Sequence, residues 1–120
     1  MNTSVQLLQS LLAPHEYRAV ADFLGQIRAR YQERVAQAIL FGSKARGDAA
    51  PESDIDILII VDHDDWRLSH TFSTMAARVS LEHDALIGLY VIGQERWNQM
   101  AQRRLGLYRN VVAEGIILPT

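Results

Sequence analysis

The chain has 120 residues, of which 48% are hydrophobic and 22% are charged, and this composition excludes a disordered or fibrous protein. Its length predicts one domain, residues 1–120, built around a single hydrophobic core. The net charge of −2 argues against nonspecific binding to nucleic acid, and the absence of cysteine excludes disulfides and thiolate chemistry.

Two helices are predicted at the beginning of the chain, because apolar residues recur at helical spacing within residues 5–12 and 15–34, on either side of Pro14. Polar residues interrupt the apolar ones in the first helix. We therefore expect neither a signal peptide nor a membrane-spanning segment there, and no contact with a membrane. A small chain without cysteine suits the reducing cytoplasm, where we expect this protein.

Strands and helices alternate in the remainder. Strands are predicted at residues 35–41, 54–61 and 85–92, with a short edge strand at 116–118, and helices at 66–81, 93–102 and 107–113. The connector at residues 44–53 is rich in turn-forming residues and leaves room for one helical turn after Ser43. Since it is too short for a crossover helix, the first two strands are not expected to be parallel. The sequence predicts an α/β (α+β) protein with a small mixed β-sheet flanked by helices.

Asp54 and Asp56 begin the second strand, and their spacing places both carboxylates on the same face. Ile55 and Ile57 then anchor the opposite face in the core. Two carboxylates held together on a strand form an oxygen site suited to Mg²⁺, which would also relieve their mutual repulsion. The alternative is a surface strand with two solvated aspartates, and Asp-x-Asp taken alone favours that reading.

Gly42 and Ser43 follow the first strand. A glycine there lets the backbone approach a ligand closely, and the amides and hydroxyl of the turn would bind an anion. Lys44 and Arg46 add positive charge, and arginine can bind two phosphate oxygens at once. The alternative is a strand-ending turn with a capping serine. A phosphate turn beside a two-carboxylate metal site is the combination that phosphoryl or nucleotidyl transfer needs.

Two segments together, Gly42-Ser-Lys-Ala-Arg-Gly and Ser53-Asp-Ile-Asp, resemble the signature of the minimal nucleotidyltransferases of the polymerase-β-like superfamily. The segments Tyr90-Val-Ile-Gly-Gln-Glu-Arg-Trp and Tyr108-Arg-Asn-Val-Val-Ala-Glu-Gly-Ile are similar to the same family. The resemblance covers residues 35–120, which it identifies as a catalytic core behind N-terminal helices at 1–34. It implies the polymerase-β-like nucleotidyltransferase fold.

The resemblance also implies roles for particular residues. Gly42 and Ser43 would hold the triphosphate of ATP, with help from Arg46. Asp54 and Asp56 would hold Mg²⁺.

Active members of the family usually have a third carboxylate on the neighbouring strand, as a base or a further metal ligand. The predicted third strand contains none. Asp84, at its leading end, is the best candidate for a catalytic and metal-binding role, although it could equally be an ordinary turn residue. If the third carboxylate is absent, the protein binds nucleotide without turning it over.

Small members of the family resemble antitoxins that are encoded beside a HEPN-domain RNase toxin and transfer AMP from ATP to a tyrosine of that toxin. Larger relatives modify antibiotics or RNA ends and carry extra substrate domains. The size of this chain therefore implies a protein substrate, with no direct binding of nucleic acid, and permits a homo- or hetero-oligomer. The alternative is a catalytically degenerate nucleotide-binding module that neutralises its partner by binding alone.

Overall fold

The computed structural model describes residues 3–119, so the outermost residues of the predicted domain, 1, 2 and 120, lie outside it. Within that range the helices are α1 (Thr3–Leu11), α2 (Pro14–Tyr31), α3 (Ser43–Arg46), α4 (Trp66–His83), α5 (Gln94–Arg103) and α6 (Gly106–Glu114). A short 3₁₀ helix at Gln32–Arg34 follows α2. The strands are β1 (Val35–Phe41), β2 (Ile55–Val61), β3 (Ile87–Gly93) and β4 (Ile116–Ile117). The predicted order of elements is confirmed.

The four strands form one sheet in the order β3-β2-β1-β4. β1 pairs antiparallel with both β2 and β4, whereas β2 pairs parallel with β3. The connection from β1 to β2 contains only the single helical turn α3, and the connection from β2 to β3 contains the long helix α4. The short connector joins the antiparallel strands β1 and β2, and the helical crossover joins the parallel strands β2 and β3. The predicted mixed sheet is confirmed.

The register of the strands places the beginning of β2 between the end of β1 and the beginning of β3. Phe41, the last residue of β1, pairs with Asp56. Asp56 in turn pairs with Gly88 on β3. Asp54, directly before β2, and Asp56 therefore lie at the end of the strands where β1 ends and β3 begins.

Helices cover both faces of the sheet, which explains why β2 is almost continuously apolar. On one face α1, α2 and α4 pack against alternate strand residues, and this larger core includes Phe23, Phe72 and Ile57. On the other face α5 and α6 cover a smaller core that includes Phe41 and Leu58. Since side chains alternate along a strand, Asp54 and Asp56 project on the same face as Leu58, toward the α5–α6 side.

Among residues 3–119 there is no helix that combines the length and the apolar character needed to cross a membrane.

Candidate active site

The two aspartates lie side by side, next to the Cα of Gly88. An added Cβ at Gly88 would stand 2.9 Å from Asp56 Oδ1 and 3.5 Å from Asp54 Oδ2, so both carboxylates face that position. Asp54 is exposed and Asp56 is half-buried. Neither carboxylate has a hydrogen bond or an ion pair with the residues that the structure describes. Two adjacent carboxylates without protein partners are chemically suited to a divalent cation.

The environment of Asp56 disfavours its charged form. Burial raises the pKa of the Asp56 carboxyl, and the charges of Asp54 and Glu114 raise it further, while Arg46 acts in the opposite direction. A cation bound by the pair would remove this conflict, since an opposite charge nearby stabilises an ionised carboxylate. The electrostatics are therefore consistent with the predicted metal ligands.

Gly42 allows the turn after β1 to pass directly over Asp56. Its φ of 79° lies in the left-handed region, which favours glycine. A Cβ at this position would overlap the Asp56 carboxylate. Gly42 therefore brings the turn and the aspartate pair together, and a side chain there would separate them.

α3 presents donors beside the carboxylates. Gly42 precedes this helix, and Gly47, also left-handed with a φ of 81°, ends it by donating its amide to the Ser43 carbonyl. The first amides of a helix have no acceptor within the helix. The Ser43 hydroxyl makes no hydrogen bond with any described residue. Ser43 stays a predicted phosphate ligand, with its hydroxyl available.

Lys44 does not contribute to this group, and the prediction that it adds charge for a phosphate is wrong. Its side chain is buried, and its Nζ lies 2.8 Å from Glu16 Oε2 on α2. The same Nζ approaches the carbonyls of Ala50 and Pro51 at 3.5 and 3.4 Å. Because residues 44 and 46 lie on opposite sides of the helix α3, Lys44 points away from the side that Arg46 occupies. Its ion pair with Glu16 connects the turn to α2.

Arg46 lies on the exposed side of α3 between two carboxylates. Its Nη1 donates to Glu114 Oε2 at 3.0 Å, and its Nε donates to Asp48 Oδ2 at 3.1 Å. These bonds raise the pKa of the guanidinium, which stays charged. The charge of Arg46 lowers the pKa of Asp56, so the guanidinium acts on the carboxylate pair, and Arg46 stays a predicted phosphate ligand.

Glu114 is a residue of the site to which the sequence analysis gave no role, although it lies in the family-like segment that begins at Tyr108. It is the last residue of α6, and its Oε1 accepts the Gly42 amide at 2.9 Å while its Oε2 accepts from Arg46. One signal was present in the sequence. A glutamate immediately before Gly115, at the end of a helix, opposes the helix dipole and so calls for a local reason.

Asp84 does not join the aspartate pair. It ends α4 in a left-handed conformation with φ of 52°, and α4 packs on the face of the sheet opposite to the aspartates. It borders a surface depression lined also by Pro51 and Ser53. No group of three or more His, Asp or Glu side chains within residues 3–119 could hold a metal ion. The predicted set of Asp54, Asp56 and Asp84 is therefore not assembled as one metal site within residues 3–119.

The residue of β3 beside both carboxylates is Gly88, which has no side chain to contribute. The sequence shows this glycine as an interruption of an apolar strand. Its place beside the aspartates depends on the parallel register of β2 and β3, which the sequence does not reveal. The neighbouring strand thus has no side chain at the position that faces both carboxylates, which agrees with the absence of a carboxylate from the predicted third strand.

Comparisons with known proteins identify the family of this chain. The family described as "Nucleotidyltransferase domain" matches residues 20–112. A relative from Methanocaldococcus jannaschii, named "Putative protein adenylyltransferase", is 34% identical over 105 residues, covering 87% of this chain and 98% of the relative. A second protein of that organism with the same name is 36% identical over 69 residues, covering 57% of this chain and 70% of its own length.

The fold has a solved counterpart as well. The crystal structure described as "a putative nucleotidyltransferase from Sulfolobus solfataricus" superposes with a TM-score of 0.54 at 15% identity, covering 95% of this chain and 84% of the other. At that identity the likeness concerns the fold alone. The family match and the 34% identical relative place the chain in the nucleotidyltransferase domain family, and the protein is a nucleotidyltransferase.

Proposed function

We propose that this nucleotidyltransferase is Mg²⁺-dependent and transfers AMP from ATP to a tyrosine of a partner HEPN toxin, as the antitoxin of a toxin–antitoxin pair. The observation that carries the metal-dependent transfer is the pair of unpartnered carboxylates, Asp54 and Asp56, against the Gly42–Ser43 turn. The chain's similarity to proteins named for protein adenylylation supports AMP transfer to a protein. The HEPN partner and the tyrosine follow from the resemblance of the motifs.

In the proposed reaction the tyrosine oxygen attacks the α-phosphorus of ATP. The new bond is phosphorus to phenolic oxygen, the bond to the β-phosphate oxygen breaks, pyrophosphate leaves, and the hydroxyl proton passes to water. Asp54 and Asp56 would hold Mg²⁺, which when bound neutralises phosphate charge and orients the reacting groups. Ser43 donates its hydroxyl to a phosphate oxygen, and Arg46 offers its remaining N–H groups to the same chain of phosphates.

Access to the aspartates supports a macromolecular acceptor. β3 is an edge strand, and Gly88 on it leaves the carboxylates uncovered on that side. Asp54 is exposed, so a side chain carried by another protein can reach the pair without a channel. The site is therefore compatible with an acceptor as large as a folded toxin.

A second candidate function is a nucleotide-binding module that neutralises its partner by binding alone. Gly88 favours it, because the neighbouring strand offers no third carboxylate beside the pair. The intact Asp54 and Asp56 favour the enzyme, because a protein that had lost turnover would be free to lose both aspartates as well. Only a measurement of transfer separates the two.

The test is to incubate the chain with ATP, Mg²⁺ and the HEPN protein encoded beside it, and to measure intact masses. We expect the partner to gain one or more AMP units, on tyrosine by peptide mapping. The double variant Asp54→Asn, Asp56→Asn should give no gain. Asp84→Asn should retain the gain, because Asp84 lies apart from the pair and asparagine tolerates its left-handed backbone.

A stable complex with no mass gain, with ATP and the other nucleotides, would contradict the transfer and favour the binding module. A mass gain that is lost in Asp84→Asn would restore Asp84 to the catalytic group. A gain on a residue other than tyrosine would retain the transferase and replace its acceptor.

A further inference from the structure

Glu114 links two separate donors of the phosphate-binding side. One carboxylate oxygen accepts the Gly42 amide at 2.9 Å, and the other accepts Arg46 Nη1 at 3.0 Å. Its side chain is only 17% exposed, whereas that of Arg46 is 46% exposed. The glutamate thus lies behind the arginine, on its protein side, and leaves the outer N–H groups of the guanidinium toward solvent.

Glu114 occupies a position in its helix where a negative charge is energetically unfavourable. The C-terminal end of a helix carries the negative end of the helix dipole, so a carboxylate on the last residue of α6 is disfavoured there. A residue that breaks a local rule in a folded protein is often placed for function. Here the two donors, one of them a full positive charge, offset the cost.

The backbone beside Glu114 is held against β1. An added Cβ at Gly115 would stand 2.7 Å from Ile39 Cγ2 and would overlap the Val111 carbonyl. Gly115 therefore allows the end of α6 to pack directly on the strand that carries Gly42 at its end. Glu114 is at the end of α6, which packs on β1, and the Gly42 turn directly follows β1. The distance between the Glu114 carboxylate and the turn is therefore set by rigid elements.

From these contacts we infer that Glu114 is a positioning residue, whose two oxygens hold the Gly42 amide and the Arg46 guanidinium in the arrangement that receives the triphosphate. The inference rests on the proposed function, because it assigns a role in binding the nucleotide of that reaction. Glu114 acts through Gly42 and Arg46, without touching the nucleotide itself.

The sign of the effect distinguishes this role from simple electrostatics. Removing a negative charge beside an anion site should by itself tighten the binding of a triphosphate. Removing Glu114 would also tighten binding if its carboxylate only competed with the phosphates for the Gly42 amide and the Arg46 guanidinium. Removing a positioning residue should weaken binding, because Arg46 is then held by Asp48 alone and the Gly42 turn loses its acceptor, so both must be ordered as the nucleotide binds.

The experiment measures the Kd of ATP with Mg²⁺ by calorimetry, together with KM and kcat for transfer, in Glu114→Ala and Glu114→Gln. For Glu114→Ala we expect Kd and KM to rise about tenfold with kcat nearly unchanged. Glu114→Gln has one oxygen acceptor instead of two, so its Kd should lie between those of the wild type and Glu114→Ala. Amide hydrogen exchange at Gly42 should accelerate in Glu114→Ala.

The matched control is Glu82→Ala. Glu82 also lies in the last turn of a long helix, is exposed, and has no hydrogen bond or ion pair with residues of the described range. It controls for the loss of a glutamate near a helix end, and its Kd should equal that of the wild type. If Glu114→Ala does not fold, Glu114→Gln carries the test.

Unchanged or tighter binding in both Glu114 variants would overturn the inference while the proposed function stands. Unchanged exchange at Gly42 would also overturn it. If the wild type binds no nucleotide with Mg²⁺, the proposed function fails and the role of Glu114 fails with it. The wild-type titration therefore tells the two failures apart.

Discussion

Asp56 is held in the folded chain at an electrostatic cost. Burial and the neighbouring charges of Asp54 and Glu114 raise the pKa of its carboxyl above the ordinary value of 3.8. A carboxyl whose pKa is raised on folding binds its proton more tightly in the folded state. Between the unfolded and folded pKa values, the folded protein therefore loses stability as the pH rises, and above both the full cost remains.

We predict that Asp56→Asn raises the melting temperature at pH 7, by a few degrees, while it abolishes transfer. The gain should shrink as the pH falls through the raised pKa toward 3.8, where the native carboxyl is also neutral. Melting curves from pH 4 to pH 8 without divalent cations measure this. Glu52→Gln, at an exposed turn residue, is the control and should change little. A variant that melts below the wild type at pH 7 would contradict the prediction.

The positions of single site residues were predictable where they depend only on neighbouring residues in the chain. The spacing of Asp54 and Asp56 places both on one face of any strand that contains them, and the structure has them there. Lys44 and Arg46 look equivalent in sequence, yet the Lys44 side chain is buried against Glu16 and the Arg46 side chain is exposed to solvent. Glu114 lies 72 residues from Gly42, so its unfavourable place at a helix end could mark it as unusual without identifying Gly42 as its partner.

At the scale of elements, α3 joins the N-terminal helices to the site. Lys44 and Glu16 form an ion pair in which both side chains are almost fully buried, at 6% and 7% exposure. Glu16 also accepts the Ala13 amide at the start of α2, at 2.9 Å. The turn that contains Gly42 and Ser43 is thus held by a contact with α2, a helix that the sequence signature does not include.

We predict that Lys44→Met lowers the free energy of unfolding by about 3 to 5 kcal/mol, because it leaves the Glu16 carboxylate buried without its counter-charge. Urea titration monitored by circular dichroism measures the change. Arg18→Met removes an exposed cation of α2 that has no ion pair among the described residues, and should cost less than about 0.5 kcal/mol.

The double variant Lys44→Met, Glu16→Gln provides a further check on that pair. Since neither remaining side chain is charged, the double variant should be more stable than the sum of the two single changes implies. Additive losses would show that the two side chains do not depend on one another.

For the whole molecule, the alternation of strands and helices was sufficient to predict the class of fold. The short connector before β2 was sufficient to predict the mixed sheet. The register of β2 and β3 was not predictable, because both strands are apolar on both faces and tolerate shifts in pairing equally well. For that reason Gly88 was not placed beside the aspartates, and Asp84 was assigned to a metal-binding group that the described structure does not assemble.

The distribution of charge over the molecule makes the site anionic. Asp48, Asp54, Asp56 and Glu114 surround it with Arg46 as their nearby cation, since Lys44 is paired with Glu16. The site carries more negative charge than the net −2 of the whole chain suggests. A triphosphate without a divalent cation should therefore be repelled.

We predict a reversal of affinity when Asp54→Asn and Asp56→Asn are combined. With EDTA present, the double variant should bind ATP about tenfold more tightly than the wild type, because two repelling charges are gone. With Mg²⁺ present, it should bind more weakly, because the ligands of the cation are gone. Titration of a fluorescent ATP analogue under both conditions measures the two constants.

The control for this reversal is Glu33→Gln with Glu95→Gln. Both glutamates are exposed and lie toward the other end of the sheet, before β1 and after β3, so this change removes the same two negative charges far from the site. Its ATP affinity should follow the wild type in both buffers. If the control reproduces the tighter binding in EDTA, net charge governs the interaction, and the carboxylate pair does not. If the aspartate variant binds ATP equally with and without Mg²⁺, and as well as the wild type does, the cation is not held by these two residues.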